Sequence, residues 1–416
     1  MAKSRRRRRC ISAIHWVRAS RAPALLGAIS VLAVIGARPA HAQKYTVLHS
    51  FSGQPMDGAA PQAALLADSD RNLYGTTFSG GASGAGVVFK VDKTGEETVL
   101  YSFTGGVDGG NPYAGLVRDS GGNLYGTTYF GGTFSSPLCV SGCGVVFKLD
   151  ATGTESVLHS FTRGVDGANP YAGLLQDSAG NLYGTTTLGG ESGDGVVFKL
   201  DPTGNYSVLH SFGGSSGAIP NAGVILDSEG NLYGTASAEG TGGNGCEGGG
   251  SSCGIVFKLD PAGSLTVLHS FTGGADGGNP FAGVILDEMG NLYGTTTDGG
   301  ANSSCCGVLF KLDPSGTLTV LHTFTGGTDG GSPYAGLTRD AAGNLYGTAT
   351  AGGVKDNGVV YKLDAAGNFS VLYSFSGATS GDKPYGGVIR GSRGNLYGTT
   401  ISGGRTSAGV IFWLEP

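Results

Sequence analysis

The chain has 416 residues, 80 of them Gly, with 14% charged residues and a formal net charge of −5. Without residues 1–42, which hold nine of its 26 Lys and Arg and no acid, the balance becomes 17 minus 31, or −14. So acidic a chain argues against a nucleic-acid or anionic-membrane partner, and its regular β-branched and aromatic positions exclude disorder despite the glycine.

Residues 1–42 read as a cleavable secretory signal. Arg5 to Arg9 form a positive n-region, Ala24 to Ala37 an apolar h-region, and Ala40-His41-Ala42 a small-x-small cleavage site. The apolar run is shorter than the roughly 20 residues of a spanning helix, and no later segment is apolar enough to span a bilayer. Export to the periplasm or the outside is expected, with residues 43–416 as one domain and a monomer as its state.

Asn-Leu-Tyr-Gly-Thr then recurs seven times, beginning at Asn72, Asn123, Asn181, Asn231, Asn291, Asn344 and Asn395, at spacings of 51, 58, 50, 60, 53 and 51. Such a period marks a repeat architecture. In the third module the strand-like segments are Ala172 to Leu175, Asn181 to Thr186, Gly195 to Leu200 and Ser207 to Phe212. The first pair is joined by Asp177-Ser-Ala-Gly180 and the last by Asp201-Pro-Thr-Gly204, both hairpin turns ending in Gly. The corresponding acids Asp119, Asp227, Asp287 and Asp340 are hairpin residues by position.

Each module is therefore a four-stranded antiparallel meander, and seven of them predict an all-β, seven-bladed β-propeller. The mature chain opens with a lone fourth strand, Tyr45 to Phe51, and closes with a third, Gly409 to Leu414, so the N-terminal strand should complete the last blade and remove the open edges. In the third strand Val196, Phe198 and Leu200 should face one way and Val197 the other. Tyr183 and its equivalents are read as packing residues, and the motif's Gly predicts close approach by a neighbouring blade.

Cys139 and Cys143, Cys246 and Cys253, and Cys305 and Cys306 fall between second and third strands. An even count in an exported chain predicts disulfides. Bridges 139–143 and 246–253 would staple two loops, whereas one between the adjacent Cys305 and Cys306 would be strained. Neither zinc-ribbon spacing nor a nearby His supports a thiolate metal site. His49, His159, His210, His269 and His322 share one strand position, taken by Tyr101 and Tyr373 elsewhere, and are read as structural.

Asp57, Asp108, Asp166, Asp276, Asp329 and Asp382 recur in the inter-blade crossovers. Their main reading is turn architecture. The functional alternative gathers Asp108, Asp166, Asp276 and Asp329 near the axial opening to bind a cation, with calcium as the one cofactor considered. No Ser-His-Asp set, phosphate-cradling loop or isolated acid pair stands out from the repeat, and Arg118, Arg163, Glu239 and Arg339 form no acid and base pair.

With Gly-Asn-Leu-Tyr-Gly-Thr-Thr, Gly-Val-Val-Phe-Lys-Leu-Asp and Val-Leu-His-Ser-Phe laid out, the chain resembles the choice-of-anchor tandem-repeat GloVer-containing proteins over residues 45 to 415. The resemblance implies an exported bacterial repeat protein, held to the cell by a variable C-terminal device, with no agreed catalytic activity. Pro416 follows directly on the last strand, which favours free secretion or periplasmic residence. The expected function is a non-enzymatic scaffold binding protein or glycan through the crossovers and second-to-third loops at one end of the ring. Module variation concentrates there, at residues 130–140, 238–252 and 301–304. The alternative is a polysaccharide hydrolase or lyase at the axial opening.

Overall fold

The computed structural model describes residues 43–55, 57–134, 137–238, 253–300 and 306–416. Within them the strands form seven four-stranded antiparallel sheets, the blades of a propeller, together with one two-stranded pairing. Blades 1 to 6 occupy residues 66–102, 117–160, 175–211, 225–270, 285–323 and 338–374. Blade 7 joins Ile389–Arg390, Leu396–Thr400 and Val410–Leu414 to the N-terminal strand Tyr45–Ser50, with Tyr45 opposite Leu414 and Ser50 opposite Val410. The ring is thus closed as the sequence predicts. Among the described residues the only helical elements are the single turns Gly214–Ser216 and Ala378–Ser380.

Blade 3 shows the common register. Its strands are Leu175–Gln176, Leu182–Thr186, Val196–Leu200 and Tyr206–Ser211. Leu182 faces Leu200 and Gly184 faces Phe198 across the second pairing. In the outer pairing Val197 meets His210 but Phe198 meets Val208, so a bulge at Leu209 turns the fourth strand. The first strand is shorter than predicted and starts later, because the Ala172 carbonyl is engaged by the preceding blade instead of a ladder partner.

Every residue of Asn-Leu-Tyr-Gly-Thr has a distinct task. The Asn181 backbone N–H and side-chain amide donate to Asp177 at 2.8 and 2.7 Å, locking the hairpin. Leu182 is buried with Val196, Phe198 and Leu200 against blade 2. Tyr183 packs with Val197 against blade 4, its hydroxyl donating to Asp177 at 3.2 Å and Lys199 lying over its ring. A Cβ on Gly184 would stand 2.5 Å from Phe198 Cζ, so the close approach comes from within the same blade and not, as expected, from a neighbour. The Thr185 hydroxyl donates to the Ala222 carbonyl of blade 4 at 2.9 Å.

That last bond recurs from each blade to the next, from Thr76 to Ala114, Thr127 to Ala172, Thr235 to Ala282, Thr295 to Pro333, Thr348 to Gly386 and Thr399 to Ala63. Seven buried hydroxyls therefore ring the axis, the last spanning both ends of the sequence. Outside this belt the cores lie between blades, and Phe161, Phe212 and Phe271 at the fourth-strand ends each meet the third-strand Phe of the following blade edge-on.

Candidate functional site

Each crossover pairs with the second-to-third loop of the blade it enters. Gly58–Ala59 pairs with Ser79–Gly80, Gly110 with Phe130, Ala168 with Leu188, Ala218 with Ala238, Gly278 with Asp298, Gly331 with Ala351 and Asp382 with Ser402. The two loop sets thus share one end of the ring.

From that end each crossover delivers a Pro and then the residue that enters the inner wall. The residue before each Pro, namely Ala60, Asn111, Asn169, Ile219, Asn279, Ser332 and Lys383, has φ between 50 and 56°. Pro disfavours the α region in its predecessor, and a β-branched residue such as Ile219 rarely takes positive φ, so the seven-fold repetition marks a turn held by its surroundings. Asn111 and Asn169 anchor it by donating side-chain N–H to the Phe78 and Tyr129 carbonyls at 2.9 Å.

The turn aims the following side chain at the axis. An axial cavity of about 300 Å³ is lined by Gln62, Tyr113, Tyr171, Asn221, Phe281, Tyr334 and Tyr385, one from each blade, with the small residues that follow them. The aromatic rings converge. Tyr113 stacks on Tyr171 at 4.4 Å and Tyr334 on Tyr385 at 4.7 Å, while Phe281 meets Tyr171 and Tyr334 edge-on at 5.3 and 5.0 Å. Phe78 and Tyr129 add a second tier beside Tyr113. Burial raises the phenols of Tyr113, Tyr171 and Tyr334 above the ordinary value and pushes Tyr385 up to about 12, so these hydroxyls stay protonated at neutral pH. The lining contains no carboxylate, imidazole or thiol among the described residues.

The crossover acids lie elsewhere. Asp108 accepts from the Thr104 N–H at 2.8 Å, the Thr104 hydroxyl and the Tyr101 hydroxyl at 3.0 Å. Asp166, Asp276 and Asp329 repeat this with Thr162, Thr272 and Thr325, each joined also to the fourth-strand imidazole of His159, His269 or His322 at 3.2 Å. Burial alone would raise the Asp166 and Asp276 carboxyls, but these bonds hold both below the usual carboxylate range. The four acids therefore stand at the outer strand, shaping the turn, and none lines the axial cavity.

The strand His and the crossover Asp, two separate series in the sequence, are thus one interaction. Where blade 4's crossover lacks the acid, His210 Nε2 is buried without a partner and burial lowers its pKa. Asp382 is not the sixth member, since it pairs with Ser402 at the position Gly110 holds in its own crossover; Ser380 stands in the acid's place, five residues after Phe375.

Cys139 and Cys143 form the predicted disulfide. Cys253 and Cys306 are also disulfide-bonded, while Cys246 and Cys305 lie outside the described residues, as does Glu239. Arg118 lies over the Tyr74 ring and Arg163 donates to the Leu138 carbonyl at 2.7 Å, so each has a local partner. The aromatic mouth is what reading by motif missed. Its signal was Pro followed by an aromatic and two small residues at 112, 170, 280, 333 and 384, a pattern absorbed into the first strand.

A closed ring of seven four-stranded modules with a lined axis defines a repeat-built β-propeller. The chain belongs to the Gloeobacter/Verrucomicrobia repeat family, whose profile matches residues 36–246 and 245–416. No curated protein matches it. Among solved structures it is similar to the extracellular domain of a proposed one-component system from B. thetaiotaomicron, with 10% identity, a TM-score of 0.53 and coverage of 89% of this chain and 40% of that one. It is also similar to a proposed 6-phosphogluconolactonase from Bacteroides fragilis, with 17% identity, a TM-score of 0.49 and coverage of 79% and 86%. At 10% identity the first of these likenesses is one of fold.

Proposed function

We propose that the protein is an exported, non-enzymatic scaffold that binds a neutral glycan on the aromatic mouth of its ring. The observation that carries this reading is the convergence of Tyr113, Tyr171, Phe281, Tyr334 and Tyr385 from five blades onto one axial cavity. Electron-rich ring faces attract the C–H faces of a sugar, and the phenols with the Gln62 and Asn221 amides offer the few polar handles such a site needs. The absence of a charged group from the lining, among the described residues, favours a neutral ligand. It also gives hydrolysis no acid and base at this place, which is why binding is preferred to catalysis.

Export is supported by the tripartite leader and by the Cys139–Cys143 bridge, since disulfides persist in oxidising compartments. A glycan array followed by calorimetry on the best neutral oligosaccharide tests the proposal. Tyr171→Ala and Phe281→Ala should each weaken binding at least tenfold. Binding that survives both, or a ligand captured only through residues 241–250, would overturn it.

A further inference from the structure

We propose that His49, Asp57 and Glu97 form a site for a divalent transition cation of the zinc type, clamping the N-terminal closing strand onto blade 1. One nitrogen and two carboxylate oxygens from these residues lie within 4.8 Å of one another. They come from three places: the closing strand, the crossover, and the first residue of blade 1's fourth strand.

Two observations separate this cluster from an ordinary polar contact. His49 Nε2 and Glu97 Oε1 are both buried and lack a hydrogen-bond partner. Glu155 Oε1 and His210 Nε2 are buried without a partner too, but among the described residues only here do such a carboxylate oxygen and such an imidazole nitrogen meet in one cluster. His49 Nε2 stands 3.5 Å from Asp57 Oδ1, close to the roughly 3.3 Å that separates two ligands on a tetrahedral zinc with bonds of about 2.0 Å. Asp57 is held for the task, as its other oxygen, Oδ2, accepts from the Ser52 N–H and hydroxyl at 2.6 Å, a support of the kind that orients metal-binding carboxylates.

The departure from the repeat points the same way. At the position of Glu97, the blade that follows each of the other four His presents an apolar or aromatic residue. Tyr206 stacks on His159 at 3.9 Å and Phe369 on His322 at 3.7 Å, while Leu265 and Leu318 hold that place in blades 4 and 5. Blade 1 instead sets a carboxylate against the imidazole and beside a second carboxylate. Two buried like charges repel until a proton or a cation comes between them. Blade 2 offers a built-in control: Glu155 and Asp108 repeat the carboxylate pair, but Tyr101 replaces the imidazole and already donates to Asp108 at 3.0 Å. A His with two carboxylates suits zinc or its neighbours better than calcium, which prefers oxygen alone.

The full chain, stripped with a chelator, should be titrated with zinc by calorimetry and with cobalt by visible absorption. One cation per chain is expected, with d–d bands of a nitrogen and oxygen ligand set and a Tm that rises with zinc concentration. Glu97→Gln should weaken binding at least tenfold, as should His49→Tyr, which installs the side chain blades 1 and 6 already use at this position. Glu155→Gln should bind as wild type. No heat and no Tm shift with either metal, or affinity unchanged in Glu97→Gln, would overturn the site. Should His49→Tyr fail to fold, Glu97→Gln alone decides.

Discussion

Gly184→Ala tests whether the motif's glycine is there for the Phe behind it. In a strand interior Ala should outdo Gly by roughly 0.5–1 kcal/mol of backbone entropy. The new Cβ, however, would stand 2.5 and 2.9 Å from Phe198 Cζ and Cε1 and 3.0 Å from Leu174 Cδ2. Phe198 is fully buried and boxed in by Phe161 at 5.5 Å and Tyr206 at 5.4 Å, so it has nowhere to retreat. Overpacking of this kind costs about 1–3 kcal/mol, leaving a net loss of about 1–2 kcal/mol. At roughly 2.1 cal/mol/K per residue of unfolding entropy, the 374 residues of 43–416 turn that loss into a Tm drop of about 1–3 °C. A urea midpoint is therefore the better assay. Phe198→Leu opens the space, so in the double variant the two changes should be coupled by about 1–2 kcal/mol rather than add. A neutral or stabilising Gly184→Ala, or additive effects in the cycle, would refute the steric account.

Three further outcomes follow from single contacts. Thr185→Val removes one of the seven bonds that tie blade to blade and should cost about 1 kcal/mol in urea unfolding; an unchanged midpoint would mean that the belt is not a structural tie. Burial, followed by the nearby Asp108 carboxylate, pushes the Glu155 carboxyl up to about 7, against an unfolded value near 4.3. Because the folded state keeps a proton that the unfolded chain releases, Glu155 withdraws stability as pH rises from about 4.5 to about 7. Glu155→Gln should thus melt above wild type at pH 8 and level with it at pH 4, and equal melting at both would contradict this. Reducing the Cys139–Cys143 bridge, which closes a loop at a sequence separation of 4, should lower stability by roughly 2 kcal/mol, and identical melting with and without reductant would show that it holds nothing.

The blades were legible because period-two alternation was written seven times over, so that chance patterns in one module cancelled against the others. The closing strand was legible for the same reason: Tyr45 to Phe51 matched a fourth strand with no first three. Two features were not. His159 and Asp166 read as unrelated series because they lie seven residues apart on either side of a turn, and only the fold brings the imidazole to the carboxylate. Tyr171 looked like the edge of a strand, because convergence on an axis is a property of the ring and leaves no mark within one module.

That contrast bears on where chemistry can sit in a ring of near-identical parts. At the axis, one residue type multiplied by the repeat becomes a cavity lining that no single blade contains, as the five aromatics show. In blade 7 the N-terminal and C-terminal strands pair, and at its seam with blade 1 residues that occur once can gather. Trp413 stands there where the other six blades have Lys, and Arg71 takes φ 68° where they have Gly. Gly391 replaces the hairpin Asp in the same place, and Glu97 faces His49 across it. Faithful repetition elsewhere is the requirement of packing, since any blade must fit the next. The axis is therefore suited to recognition by a shape that the whole ring builds, and the seam to a clamp that acts once, on the strand whose pairing decides whether the ring is closed.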